Sequence, residues 1–139
     1  MSGPIVLGYD GSESANAALA ETIRIASGLG AKVDVVYAYH VNPLGGIQEG
    51  TISDQLEKIG EQELGRAIVD LEAAGIEVAS HIVSGRPAEA ILLVAERVGA
   101  SMIAVGTVGE GAITGALLGS VVLKLVQRST LPLLVVPSR

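Results

Sequence analysis

The sequence predicts an α/β fold: a single doubly wound domain, residues 1–139, in which a parallel sheet of five strands is covered by four helices. Short β-type runs alternate with helix-period segments along the whole chain, and that alternation specifies parallel strands joined by right-handed helical crossovers. The strand candidates are nearly uninterrupted apolar runs, as strands buried on both faces should be. No internal repeat and no linker divides the chain, and 139 residues suffice for one sizeable core.

Ile5 to Tyr9 reads as the first strand. The helix after it carries Ala15, Ala18, Leu19, Thr22, Ile23 and Ala26 on one face, takes Ser12 as its N-cap and ends at Gly28 and Gly30. Val33 to Tyr39 is the second strand. His40 to Ile52, with Asn42-Pro43 and Gly45-Gly46, reads as a loop too polar and glycine-rich to pack as an element. The second helix opens at Thr51 or Ser53, turns Leu56, Gly60, Leu64, Ala67, Ile68 and Leu71 inward, and runs to Ala74 before Gly75. Glu77 to Val83 is the third strand. Pro87 stands at the first position of the third helix, whose stripe is Ile91, Val94, Ala95 and Val98 before Gly99. Met102 to Gly106 is the fourth strand. A long glycine-rich loop leads to a helix carrying Val121, Val122, Leu125 and Val126, and Leu133 to Val136, between two prolines, closes the series.

Composition excludes several classes of function. Lys and Arg number 9 against 15 Asp and Glu, a net charge of −6, with no basic block to neutralise a nucleic-acid backbone. The absence of Cys removes disulfides, thiolate metal sites and a cysteine nucleophile together. Mean hydropathy is +0.52, yet the uncharged stretch Gly111–Leu123 is shorter than the roughly 20 residues of a membrane-spanning helix. No signal peptide is visible at the N-terminus, so the expectation is a soluble cytoplasmic protein with no membrane and no nucleic-acid partner. His40 and His81 have no ligand spacing around them, and no metal site is expected.

In parallel α/β sheets ligands bind beyond the carboxyl ends of the strands. Tyr9-Asp10-Gly11-Ser12 follows the first strand; Asp-Gly is a turn signal with Ser12 as helix cap, and the same position makes Asp10 a ligand candidate. After the fourth strand, Thr107 to Leu118 is longer than an ordinary connection of about 2–6 residues. Its glycines, with Gly119-Ser120 opening a helix, suit an anion held by backbone N–H groups, an arrangement that needs no Lys; a surface loop with glycines at its turns would have the same composition. G-x-x-x-x-G-K-[ST] fails because Ala112 follows Gly111, G-x-G-x-x-G fails at Thr114, and no G-x-S-x-G occurs. All three tyrosines close strands: Tyr9 the first, Tyr37 and Tyr39 the second on a shared face. They are candidates for a base contact and equally for packing under helices.

The spacing that does occur is Gly106-x2-Gly109-x9-Gly119-Ser120. With it the chain resembles the universal stress protein family, whose ATP-binding members carry G-x2-G-x9-G-[ST] after the fourth strand. The opening Val6-Leu7-Gly8-Tyr9-Asp10-Gly11-Ser12, Gly85-Arg86-Pro87, Leu118-Gly119-Ser120-Val121 and the ending Leu131 to Pro137 also look like that family, so the resemblance covers the whole chain.

The resemblance implies a sheet in the order 3-2-1-4-5, which reverses between strands 1 and 4 and brings Asp10 and the Gly106 loop to one crevice. It implies that Asp10 and the backbone at Ala38 hold the adenosine end, with Tyr9 and Val105 beside them at their strand ends. Gly106 and Gly109 would pass close to ribose and phosphate. Gly119, Ser120 and the Val121 N–H would cradle the outer phosphates, with Ser12 assisting. It further implies a homodimer paired through Leu133–Val136 and a role as a stress-response sensor or regulator.

Two residues depart from the ATP-binding pattern. Val108 stands where a basic residue is frequent, and Glu110 would put a carboxylate near a triphosphate. Lys124 and Arg128 lie one to two turns inside the helix. Gly-x-Val-Gly loops resemble those of members associated with cyclic AMP, so the cofactor expected is ATP, with or without Mg, the alternatives being cyclic AMP or AMP. A second alternative is a dimeric interaction module that has lost nucleotide binding. No enzymatic activity is expected: only Asp10 and Glu110 stand near the loop as groups that could activate water for a slow ATP hydrolysis, and no catalytic residue is assigned.

Overall fold

A computed structural model describes residues 2–40, 49–108 and 118–138. The elements are β1 (Ile5–Gly8), α1 (Glu13–Leu29), β2 (Val33–Tyr39), α2 (Glu49–Ala73), β3 (Val78–Ser84), α3 (Pro87–Val98), β4 (Met102–Gly106), α4 (Ser120–Arg128) and β5 (Leu133–Val136). The strands form one parallel sheet in the order β3-β2-β1-β4-β5, so the chain reverses direction across the sheet between β1 and β4. Ile5 faces Val33 on one side and Met102 on the other, and the β2–β3 ladder runs from Val33↔Val78 to Tyr39↔Ser84.

The alternation of side chains in the strands builds two cores. Ile5, Leu7, Tyr9, Val33, Val35 and Ala104 point to one face, where α1 contributes Ala18 and Leu19 and α2 contributes Leu64, Ala67 and Leu71. Val6, Val36, Ile103 and Val105 point to the other, beneath Ile91 and Val94 of α3 and Val122 and Leu125 of α4. With Ile5, Val6 and Leu7 of β1 buried, both faces of the central strand lie inside the protein. Among the described residues no helix is long and apolar enough to cross a membrane.

Three sequence expectations shift. β1 ends at Gly8, although the Tyr9 N–H still donates to the Val36 carbonyl at 2.9 Å. Gly28 lies inside α1 and Gly30 alone is the cap, its N–H reaching the Ala26 carbonyl. α2 begins at Glu49, within the stretch read as loop, because the amides of a first helical turn need no intrahelical partner and a polar, glycine-bearing sequence can supply that turn. The rest of that loop, residues 41–48, lies outside the described residues. Val126, which the sequence places on this helix with Val121, Val122 and Leu125, is 61% exposed: α4 packs on α3 and the edge strand β5 through the narrow seam of Val122 and Leu125.

One polar pair around a buried carboxyl was not legible from spacing. Asp34 of β2 is 1% exposed, and its Oδ1 lies 2.8 Å from Nε2 of His81 on the neighbouring β3. Parallel register brings them together, since His81 pairs with Val36, two residues beyond Asp34 on the same face. A buried carboxylate needs such a partner, and this pairing gives the lone His81 a structural role.

Candidate functional site

The topological switch point opens a cleft beyond the carboxyl ends of β1 and β4. Gly8 and Val36 form its floor with Val105, while Pro87 and Ile91 wall it from α3. Ile91 reaches in because position 8 has no side chain: a Cβ there would stand 2.6 Å from Ile91 Cδ1. The lining is therefore mainly apolar at depth, with polar groups at the rim.

The rim begins at the Asp10–Ser12 turn. Asp10 Oδ1 accepts from the Ser12 N–H at 3.0 Å, and Ser12 Oγ accepts from the Ala15 N–H at 3.2 Å as N-cap of α1. The turn reading of Asp10-Gly11-Ser12 holds, and Asp10 and Ser12 also line the cleft. Gly11 adopts φ +81°, a conformation that L side chains rarely occupy, and a Cβ there would also meet Glu63 Oε2 at 2.5 Å.

Gly106 answers to a different constraint. A Cβ at this position would lie 2.5 Å from the Ser14 carbonyl carbon and 2.6 Å from its oxygen, so the first turn of α1 rests directly on β4. The missing side chain serves this crossing as well as opening the cleft that Gly106 lines. Ser14, 2% exposed, donates its hydroxyl to the Val108 carbonyl and accepts from the Val108 N–H at 3.4 Å.

On the far side, the Gly119 N–H donates to the Thr107 carbonyl at 2.7 Å. Gly119 is the N-cap of α4 in extended conformation, so its own amide joins the two ends of the glycine-rich segment. The donors left for an anion are those of the first turn of α4, which have no intrahelical partners and carry the positive end of the helix dipole. Val121 and Val122 line the cleft; the Ser120 side chain is exposed and is not part of the lining. Gly109 and Glu110 lie outside the described residues.

The tyrosines divide. Tyr9 touches the cleft, is 4% exposed and donates its hydroxyl to Asn16 Oδ1 at 2.6 Å. Burial raises its pKa, helped by the carboxylates of Glu63, Asp70 and Asp10 and opposed by Arg66, so at neutral pH it is a neutral donor. Tyr37 and Tyr39 share a face, as the period of two requires, but it is the face turned to α2. The Tyr37 ring packs where Gly60 has no side chain, and Tyr39 Oη accepts from Ser53 Oγ at 3.4 Å. Ala38, between them, points into the cleft.

Of the residues singled out from sequence, Tyr9, Asp10, Ser12, Ala38, Val105, Gly106, Gly119 and Val121 therefore converge on one cleft. Those missed are mostly its apolar walls. Val36 was available from the alternation that places Ala38 inward, and Ile91 from the α3 stripe. Ser14 carried no signal, being one of two serines in a helix start.

The sequence model of the universal stress protein family matches residues 1–137. The chain belongs to the universal stress protein family. Universal stress protein MJ0531 of Methanocaldococcus jannaschii is 32% identical over 136 residues, covering 95% of this chain and 80% of the relative. The solved structure of the protein MJ0577 superposes with a TM-score of 0.91 at 26% identity over 100% of this chain and 98% of the other. A universal stress protein solved in complex with cAMP superposes with a TM-score of 0.77 at 29% identity over 99% and 98% of the two chains. The universal stress protein fold thus accounts for the sheet order, whose reversal lies beside the cleft.

This architecture can hold a planar apolar group against Val36, Ala38 and Ile91 while presenting N–H donors at α4 to an anionic one. Asp10 is the sole ionisable side chain with carboxylate or basic character among the described residues that line the cleft.

Proposed function

We propose that this universal stress protein binds an adenine nucleotide in the cleft and acts as a dimeric stress-response sensor or regulator. The observation that carries the reading is the convergence of an apolar slot, the Asp10 carboxylate and the first turn of α4 on one cleft. The base fits the slot, the ribose hydroxyls suit Asp10 as acceptor, and the phosphate faces the α4 amides. The complex of a 29% identical relative with cAMP supports the same ligand class here.

ATP is the ligand suggested by the spaced glycine motif. A specific observation favours a nucleotide with less charge, cyclic AMP or AMP: no Lys or Arg lines the cleft among the described residues. Backbone donors and one helix dipole neutralise a single phosphate far better than a triphosphate, unless Mg accompanies it. Titration calorimetry with ATP-Mg, ADP, AMP and cyclic AMP tests this, with the tightest binding expected for a monophosphate. Tighter binding of ATP-Mg would return the choice to the triphosphate.

The proposal is one of binding without turnover. Asp10 already holds the Ser12 N–H, which suits a positioning acceptor better than a base for water.

Dimerisation through β5 is supported by its surface. β5 borders β4 on one side in the sheet order and is half-buried along its length, with Leu123 (50% exposed) and Val126 (61% exposed) beside it on α4. An open strand edge flanked by apolar side chains is a ready pairing surface. Sedimentation equilibrium should return twice the 14.1 kDa chain mass, and Val135→Pro should shift the protein toward monomer.

A further inference from the structure

The glycine-rich segment leaves the sheet under three restraints. The Thr107 N–H donates to the Val136 carbonyl at 3.0 Å and its carbonyl accepts from Gly119. The third restraint is Ser14, whose hydroxyl engages both backbone groups of Val108, ninety-four residues away in sequence. Ser14 is 2% exposed and sits in the first turn of α1, two residues beyond the cap Ser12 and four beyond Asp10. Its backbone lies against Gly106, so the hydroxyl has no freedom to wander from the β4 terminus. A buried hydroxyl in a helix commonly bonds back to its own helix; here it bonds across to another element.

We propose that Ser14 is a positioning residue for the nucleotide cleft, fixing Val108, and with it the start of the glycine-rich segment, against the Asp10–Ser12 turn. This rests on the nucleotide reading given above and adds the group that sets the distance between the two rims of the cleft. Asp10 and Ser12 stand on one rim and Val108 on the other, and all three line the cavity. Losing the hydroxyl would leave the Val108 carbonyl and N–H without this partner and let that rim move away from the ligand. Val108, which departs from the basic pattern at its position, would then act through its backbone geometry.

Ser14→Ala and Ser14→Thr, each compared with the wild type, decide the matter by two readouts. Amide hydrogen exchange is measured at Val108 and across β1 and β4, and calorimetry is run with whichever of ATP-Mg, ADP, AMP and cyclic AMP binds the wild type. Ser14→Ala should speed exchange at Val108 at least tenfold, leave β1 unchanged and weaken binding about tenfold. Ser14→Thr, which keeps the hydroxyl, should restore both. Unchanged exchange at Val108 in Ser14→Ala overturns the proposal, as does faster exchange with unchanged affinity. Uniformly faster exchange over β1 and β4 also overturns it, because the hydroxyl would then serve overall stability. Should the Thr methyl prevent folding beside Gly106, the Ser14→Ala comparison still decides. A wild type that binds none of the four nucleotides defeats the nucleotide reading, while the exchange data separately test the Ser14 clamp.

Discussion

Gly106→Ala is expected to lower folding stability by about 1–3 kcal/mol and to weaken nucleotide binding together with it. The added Cβ would stand 2.5 Å from the Ser14 carbonyl carbon, and backbone cannot rotate aside as a flexible side chain can. Relief requires α1 to lift from β4, which carries Ser14 away from Val108 and tilts the Asp10–Ser12 turn. Urea unfolding measures the effect, since a change in midpoint at constant slope is a change in stability. Gly65→Ala is the matched control. Gly65 lies in α2 with nothing within 4 Å of the Cβ position, so alanine there should stabilise by up to about 1 kcal/mol through helix propensity. Opposite signs from the same chemical change would identify Gly106 as a packing glycine. A Gly106→Ala protein as stable as the wild type would mean that α1 and β4 are not in the contact described.

Ala38→Trp is expected to abolish nucleotide binding, a loss of at least about a hundredfold, while the protein remains folded. Ala38 is half-exposed at the end of β2 and its side chain points into the cleft, whereas its neighbours Tyr37 and Tyr39 point to α2. An indole at position 38 therefore occupies the slot between Val36 and Ile91 without disturbing the α2 face. Ala38→Ser, nearly the same size, should bind as the wild type does. The pair separates occupation of the slot from damage to the strand.

Much of this molecule was legible in the sequence because its strands are apolar runs and its helices carry clean stripes. Ile5 to Leu7 reads as a strand buried on both faces and is one, and the Pro87 start and Gly99 stop of α3 stand where the residue types put them. The less legible parts depend on residues that meet only in three dimensions. Nothing in the spacing of Asp34 and His81 reveals the pair, because parallel register on adjacent strands brings them to 2.8 Å. Gly106 was read as a ligand glycine, yet a Cβ there would meet Ser14, first its hydroxyl oxygen and then its backbone, a contact across 92 positions of sequence. The apolar residues of α4 do not say which of them are buried: Val126 is 61% exposed because α4 has only the edge strand and α3 to pack against. For the tyrosines, alternation correctly grouped Tyr37 with Tyr39, but which face of β2 met α2 rather than the cleft required the fold.

The central claim is that the cleft at the reversal of the sheet holds an adenine nucleotide. Its most direct test is a paired calorimetric titration of the wild type and Ala38→Trp with ATP-Mg, ADP, AMP and cyclic AMP. Saturable binding of at least one nucleotide by the wild type, lost in Ala38→Trp while its circular dichroism stays native, is the result expected. No heat from the wild type with any of the four, or equal binding by a folded Ala38→Trp, would contradict it.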